Sequence, residues 1–143
     1  MMSGNQLYPN GKKHLWAGNI NVEDSSGAGQ LYAALVSSGY SPSYSHEFFN
    51  QVSNQIGSSV ALTSADLDVN TTTGVVKLDA DDVTFSSVAV GSTIDAIIVY
   101  AYGSAGSTDY LLAYFDNDGS AISLTTNGGD ITVSWNSSGI AAV

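Results

Sequence analysis

Cysteine is absent from the 143-residue chain, which excludes disulfides, thiolate metal sites and a cysteine nucleophile. Cations are scarce as well. Lys12, Lys13 and Lys77 stand against 13 acidic residues, and the formal net charge is −10. Nucleic-acid binders neutralise phosphates with clustered lysine and arginine, and three lysines on an acidic chain cannot do this. The same shortage excludes attachment to an anionic membrane surface by charge. No stretch approaches the roughly 20 apolar residues of a membrane-spanning helix. The longest strongly apolar run, 96–102, is the size of a strand. The first residues lack the basic start and apolar run of a signal peptide, so synthesis and assembly in a cytosol are expected.

What remains is a chain with enough apolar material to fold. Hydrophobic residues make up 43%, while charged residues make up 11% against about 25% in an ordinary domain. Serine, threonine, asparagine and glycine therefore carry the surface. The length suits one domain that buries roughly 68% of the surface its unfolded chain exposes.

Patterning points to a mainly β fold. Residues 1–11 are polar, with Pro9, Asn10 and Gly11 as turn punctuation, and read as an N-terminal arm ahead of a single domain over 12–143. Residues 12–17 suit a short helix stopped by Gly18. Its apolar pair, Leu15 and Trp16, must dock on something. Residues 30–36 are apolar on both faces and read as a strand between the loop-like stretches 25–29 and 37–39. Ser45, followed by His46 and Glu47, resembles an N-cap with an acidic first turn, which predicts a short helix over 45–55.

From Val60 the period becomes two. Ala61, Thr63, Ala65, Leu67 and Val69 share one side of an extended segment, and a turn at 70–74 makes a hairpin with 75–79. Val83 and Phe85 mark another strand. Residues 94–102 form the strongest strand, apolar on both faces, and return through the loop 103–108 to 110–115. Turns at 116–119 and 127–130 flank the rest, Ile131, Val133 and Trp135 alternate with polar neighbours, and a short apolar tail covers 140–143. Some seven or eight short strands at close spacing predict an antiparallel β-sandwich, jelly-roll-like, or a small barrel, with one or two short helices in the N-terminal half.

Residues with chemical potential are few. Asp116 and Asp118 before Gly119 resemble the front of a calcium loop, but Asn127 stands where the closing glutamate belongs, and a turn explains the same residues. Asp79, Asp81 and Asp82 are the densest acidic cluster; paired acid–base catalysis needs carboxylates facing across a cleft, whereas carboxylates on a turn are normally solvated. His14 and His46 lack the companion ligands of a metal site. Tyr100, Tyr102, Tyr110 and Tyr114 gather around one predicted hairpin, and suit core packing, a subunit interface or a carbohydrate-stacking face.

Several stretches together resemble small structural proteins of tailed-bacteriophage virions, in particular capsid cement (decoration) proteins. They are the run from Leu31 to Val36 with Gly39, Tyr40 and Pro42, then His46, Glu47, Phe48 and Phe49. They continue with Leu78 to Phe85, Ile97 to Tyr100, Leu111 to Asp116, and Asp130 to Trp135, in order across about residues 12–136. The family pattern has polar or charged residues after the strand that ends at Tyr100, where this chain has Ala101, Tyr102 and Gly103. The resemblance implies a non-enzymatic β-rich protein of the virion that needs no cofactor. It would oligomerise as a homodimer or homotrimer and bind the major capsid protein on the outer head surface. Other virion parts (tail, neck or head fibre) and a carbohydrate-binding module are the alternatives. For contacts with the capsid or a neighbouring subunit, the expected residues are the arm, Leu15, Trp16 and the four tyrosines.

Overall fold

Residues 96–101 carry apolar side chains on both sides of an extended backbone, so the strand they form must be covered twice. The computed structural model, which describes residues 2–23, 29–103, 108–136 and 140–142, meets that demand with two separate cores. In chain order the elements are β1 (Gln6–Leu7), α1 (Pro9–Trp16), β2 (Leu31–Val36), a 3-10 turn (Phe49–Gln51), β3 (Gln55–Ala61) and β4 (Asp66–Asn70). They continue with β5 (Val75–Asp79), β6 (Val83–Phe85), β7 (Thr93–Ile94), β8 (Ala96–Ala101), β9 (Tyr110–Phe115), β10 (Leu124–Thr125), β11 (Ile131–Val133) and β12 (Ala141–Ala142).

The central sheet has the order β1-β9-β8-β2-β3 and is antiparallel throughout. On its first face lie Leu31, Ala33 and Leu35 of β2 with Val99 and Ala101 of β8. A second layer packs on them: the sheet β12-β5-β4 and the pairs β11-β6 and β10-β7, contributing Leu78, Val83, Phe85, Ile94 and Ile140 to that core. None of these sheets closes on itself, so the architecture is a small single-domain β-sandwich rather than a barrel. The second face of the central sheet presents Ala34, Val36, Ala96, Ile98, Tyr100, Leu111 and Tyr114. No sheet covers it. Met2, Tyr8, Tyr40, Phe49 and Val52 do, from the N-terminal segment and the connection between β2 and β3.

A β-bulge lets β9 serve both cores. Val99 lies opposite Ala113 while Tyr100 lies opposite Leu111, which leaves Leu112 as an extra residue. Leu112 and Ala113 both reach the first core, and Leu111 and Tyr114 reach the second.

Several local readings change. Residues 1–11 read as an arm, yet Gln6–Leu7 is an edge strand on β9, and Met2 and Tyr8 are 1% and 0% exposed. The polar residues of the segment make it look free, but Met2 and Tyr8 are fully buried and Leu7 packs partly against the first core. The helix starts at Pro9 rather than at Lys12, because a proline in the first turn has its φ already set and lacks only an N–H the helix cannot use. It ends as predicted, with Gly18 at φ +78° and the Asn19 N–H donating to the His14 carbonyl. Gly11 is therefore inside the helix, not in a turn. A Cβ there would lie 2.5 Å from the Leu111 carbonyl oxygen, so glycine is what lets α1 rest on β9.

The helix predicted over 45–55 is reduced to the 3-10 turn. Phe48 instead bridges to Tyr110, the Phe49 N–H donates to the Asp109 carbonyl, and the Leu111 N–H donates to the Glu47 carbonyl. The backbone is committed to the start of β9 before it can coil. The extended segment from Val60 also breaks. Leu62 is buried and Ser64 has φ +55°, and the chain leaves the central sheet there for the second layer. Most of the loops expected over 25–29 and 103–108 falls, with residues 137–139, outside the described residues.

Two substitutions test the N-terminal segment. Tyr8→Ala is expected to cost about 3–5 kcal/mol, as for other large buried aromatics, and Gly11→Ala about 1–3 kcal/mol by overpacking against β9. Denaturant unfolding measures both; an unchanged midpoint for Tyr8→Ala would mean that the segment is an arm after all.

Candidate adhesive surface

Hairpin β4–β5 turns through residues 71–74, where Asn70 Oδ1 accepts the Thr72 and Thr73 N–H groups and Gly74 takes φ +73°. Its register sets Leu67 opposite Leu78 and Val69 opposite Val76, so these four share one face. Asp68 and Lys77 are opposite each other on the reverse face, 3.9 Å apart. Leu78 reaches the core, while Leu67 and Val69 stay exposed at the sheet edge.

Across from that face stands α1. Between them runs a groove of about 690 Å³, lined by Lys12, Leu15 and Trp16 of the helix, Ile20, Asn21 and Val22 after it, Leu67, Val76 and Leu78 of the hairpin, and Leu7, Leu112 and Ala141. Leu15 is half-buried against the first core. Trp16, the next residue, is 93% exposed on the rim. A smaller groove of about 450 Å³ continues past Leu7 and Ala141 to Phe115 and Trp135. Trp135 is held by its indole N–H, which donates to the Asp81 carbonyl, and by Phe115. A tilted ring contact and a hydrogen bond thus fix one tryptophan, while the other faces solvent.

The four tyrosines do not form one patch. Tyr100 and Tyr114 are 5% and 7% exposed in the second core. The ring of Tyr100 is covered by Phe49 at a centroid distance of 3.9 Å, which closes it to a stacking sugar. Tyr102 is half-buried beside Tyr32. Tyr110 points to the first core and stacks on His14 at 3.9 Å. The area of Tyr100 and Tyr114 is already used by this chain's own fold, and among Leu15, Trp16 and the four tyrosines Trp16 alone is exposed.

The histidines hold the covering segments in place. His14 is buried; its Nε2–H donates to Glu47 Oε1 at 2.6 Å and its Nδ1 accepts from Asn19 Nδ2 at 2.9 Å. Lys13 Nζ lies 3.4 Å from the same carboxylate. The His14 hydrogen bond, with the nearby Lys13 charge, holds the Glu47 carboxyl below its ordinary range. His46 Nδ1 accepts from Tyr40 Oη at 2.9 Å, and Tyr40 Oη in turn accepts from Tyr8 Oη at 2.8 Å. Burial raises Tyr8, Tyr40 and Tyr100 above the usual phenol range and pushes Tyr114 up to about 12, with the Asp116 charge adding to the last.

The candidate acidic residues accept hydrogen bonds from neighbouring segments. Asp81 accepts from Ser64 Oγ at 2.7 Å, Asp82 from the Trp135 N–H at 3.0 Å, and Asp79 from the Ala80 N–H at 2.9 Å. Asp116 accepts the Gly4 and Gly119 N–H groups. Among the described residues no three His, Asp or Glu side chains gather as a metal cage. Sequence reasoning missed Glu47 as the partner of His14, and it missed Val76 and the facing of hairpin and helix. The alternation of Leu67 and Val69 with Asp66 and Asp68 was the available signal. Comparison with protein-family models, curated proteins and solved structures yields no match.

Two pH limits follow. Because the folded Glu47 carboxyl ionises below its ordinary value of 4.5, its stabilisation is present above that pH and lost as pH falls through the folded value. Wild type should melt above Glu47→Gln at neutral pH, with the gap closing below pH 4.5; a gap that persists into acid would contradict the pairing. The buried phenols, raised above 10.0, keep their stabilisation below that pH and lose it as pH climbs toward 12. Phenolate absorbance should therefore rise together with unfolding, not before it.

Proposed function

We propose that this chain is a non-enzymatic structural protein of a tailed-phage virion, a capsid cement protein that binds the outer head surface and stabilises the shell. The observation that carries an adhesive role is Trp16, 93% exposed on the rim of an apolar groove. Solvent exposure of the largest apolar side chain in a monomer is unfavourable, and such patches mark surfaces that other macromolecules cover. The virion assignment is supported by the ordered resemblance over about residues 12–136. A rigid sandwich suits a part that resists outward pressure, and many copies on one shell sum modest contacts into firm attachment. The acidic surface avoids packaged DNA. The major capsid protein is the partner in this reading, and Asp79, Asp81 and Asp82 hold the segments they bond to.

Counting copies per purified particle by quantitative mass spectrometry tests the assignment. A cement role predicts on the order of hundreds of copies, as repeated surface sites require. A handful would place the chain in the tail, neck or a head fibre, and absence from particles would end the virion reading.

A further inference from the structure

We propose that the groove between α1 and hairpin β4–β5 is the contact surface for a second copy of this chain, joined in a two-fold dimer. The inference rests on the adhesive reading of the groove and not on the virion assignment.

A two-fold contact uses the same patch on both partners, so the patch must complement itself. This one does. The α1 rim supplies a projecting side chain, Trp16, and the opposite rim supplies exposed apolar side chains, Leu67 and Val69. The space between them, about 690 Å³ with Leu78 and Leu112 in its lining, is large enough to take an indole. A two-fold axis through the groove exchanges the rims and lays Trp16 of each copy on Leu67 and Val69 of the other.

Charge points to the same partner. Two chains of net charge −10 repel each other, and only a patch that is locally balanced can bring them together. The groove lining contains Lys12 and no carboxylate. Lys13 and Lys77 have carboxylate neighbours, whereas Lys12 has no ion pair among the described residues. On the opposite rim Glu23 reaches the edge of β4, where its Oε1 accepts the Leu67 N–H at 3.3 Å. The rotation that seats Trp16 also brings Lys12 of one copy toward Glu23 of the other. That glutamate caps the free edge at Leu67, so the contact is side chain to side chain and does not extend the sheet.

Sedimentation equilibrium of the whole chain over a concentration series tests this. Wild type should dimerise, and Trp16→Ser should weaken the dimer on the order of tenfold or more, as for a central aromatic anchor. Unchanged circular dichroism and melting would show that the variant folds. Lys12→Glu and Glu23→Lys should each weaken association, and the two together should restore it. A monomer at every concentration, or a dimer indifferent to Trp16→Ser and to the charge exchange, would overturn the proposal. A monomeric wild type that loses particle binding on Trp16→Ser would assign the groove to the shell, overturning the dimer while sparing the virion reading. A dimer behaving as described, from a chain that never joins particles, would uphold the dimer and defeat that reading.

Discussion

Strand β8 sends Val99 and Ala101 into one core and Ala96, Ile98 and Tyr100 into another, and the remainder of the chain is arranged to cover both sides. The first face receives a second layer of strands. The second face receives irregular backbone: Met2 and Tyr8 from the N-terminal segment, and Tyr40, Phe49 and Val52 from the connection between β2 and β3. Irregular backbone lacks ladder hydrogen bonds, so side chains must fix it. The chain from Tyr8 through Tyr40 to His46 and the bond from His14 to Glu47 do so. Because His14 lies on α1, the interactions that close the second core also orient the helix, turning Leu15 toward the sandwich and Trp16 away from it.

A surface short of cations uses its carboxylates locally. Asp109 accepts the Gly103 N–H at 2.6 Å, Asp130 the Ser87 N–H at 2.8 Å, and Asp116 the Gly119 N–H at 2.8 Å. Hydrogen bonds from backbone N–H groups to ionised acceptors are among the stronger ones available to a loop. They allow a strand-rich chain with many turns to hold its connections with few ion pairs.

The elements whose patterning is local were legible in the sequence. Strands β2, β5, β8, β9 and β11, the hairpin turn at 70–74 and the helix stop at Gly18 all follow from periodicity and turn chemistry. What was not legible depends on contacts far apart in sequence. Residues 47–49 follow the start of β9, about 60 positions away, instead of coiling, and the cap-like Ser45 could not reveal that. Gly11 looks like punctuation until β9 is beside it. The tyrosines seemed one cluster because β8 and β9 are neighbours, but the bulge at Leu112 and the pleat send them to opposite faces. At the candidate surface the sequence marked Trp16 as a residue expected at a contact, while its opposite wall, Leu67, Val69 and Val76, needed the fold to bring it across.

The proposed adhesive role requires another macromolecule to cover the apolar surface on whose rim Trp16 stands. Tryptophan emission reports this most directly, read from the whole chain with Trp135→Phe so that Trp16 is the single emitter. The account predicts water-exposed, red-shifted emission when the protein is dilute, moving to the blue as it associates. Emission that stays red-shifted at every concentration, and on any assembled particle, would contradict it.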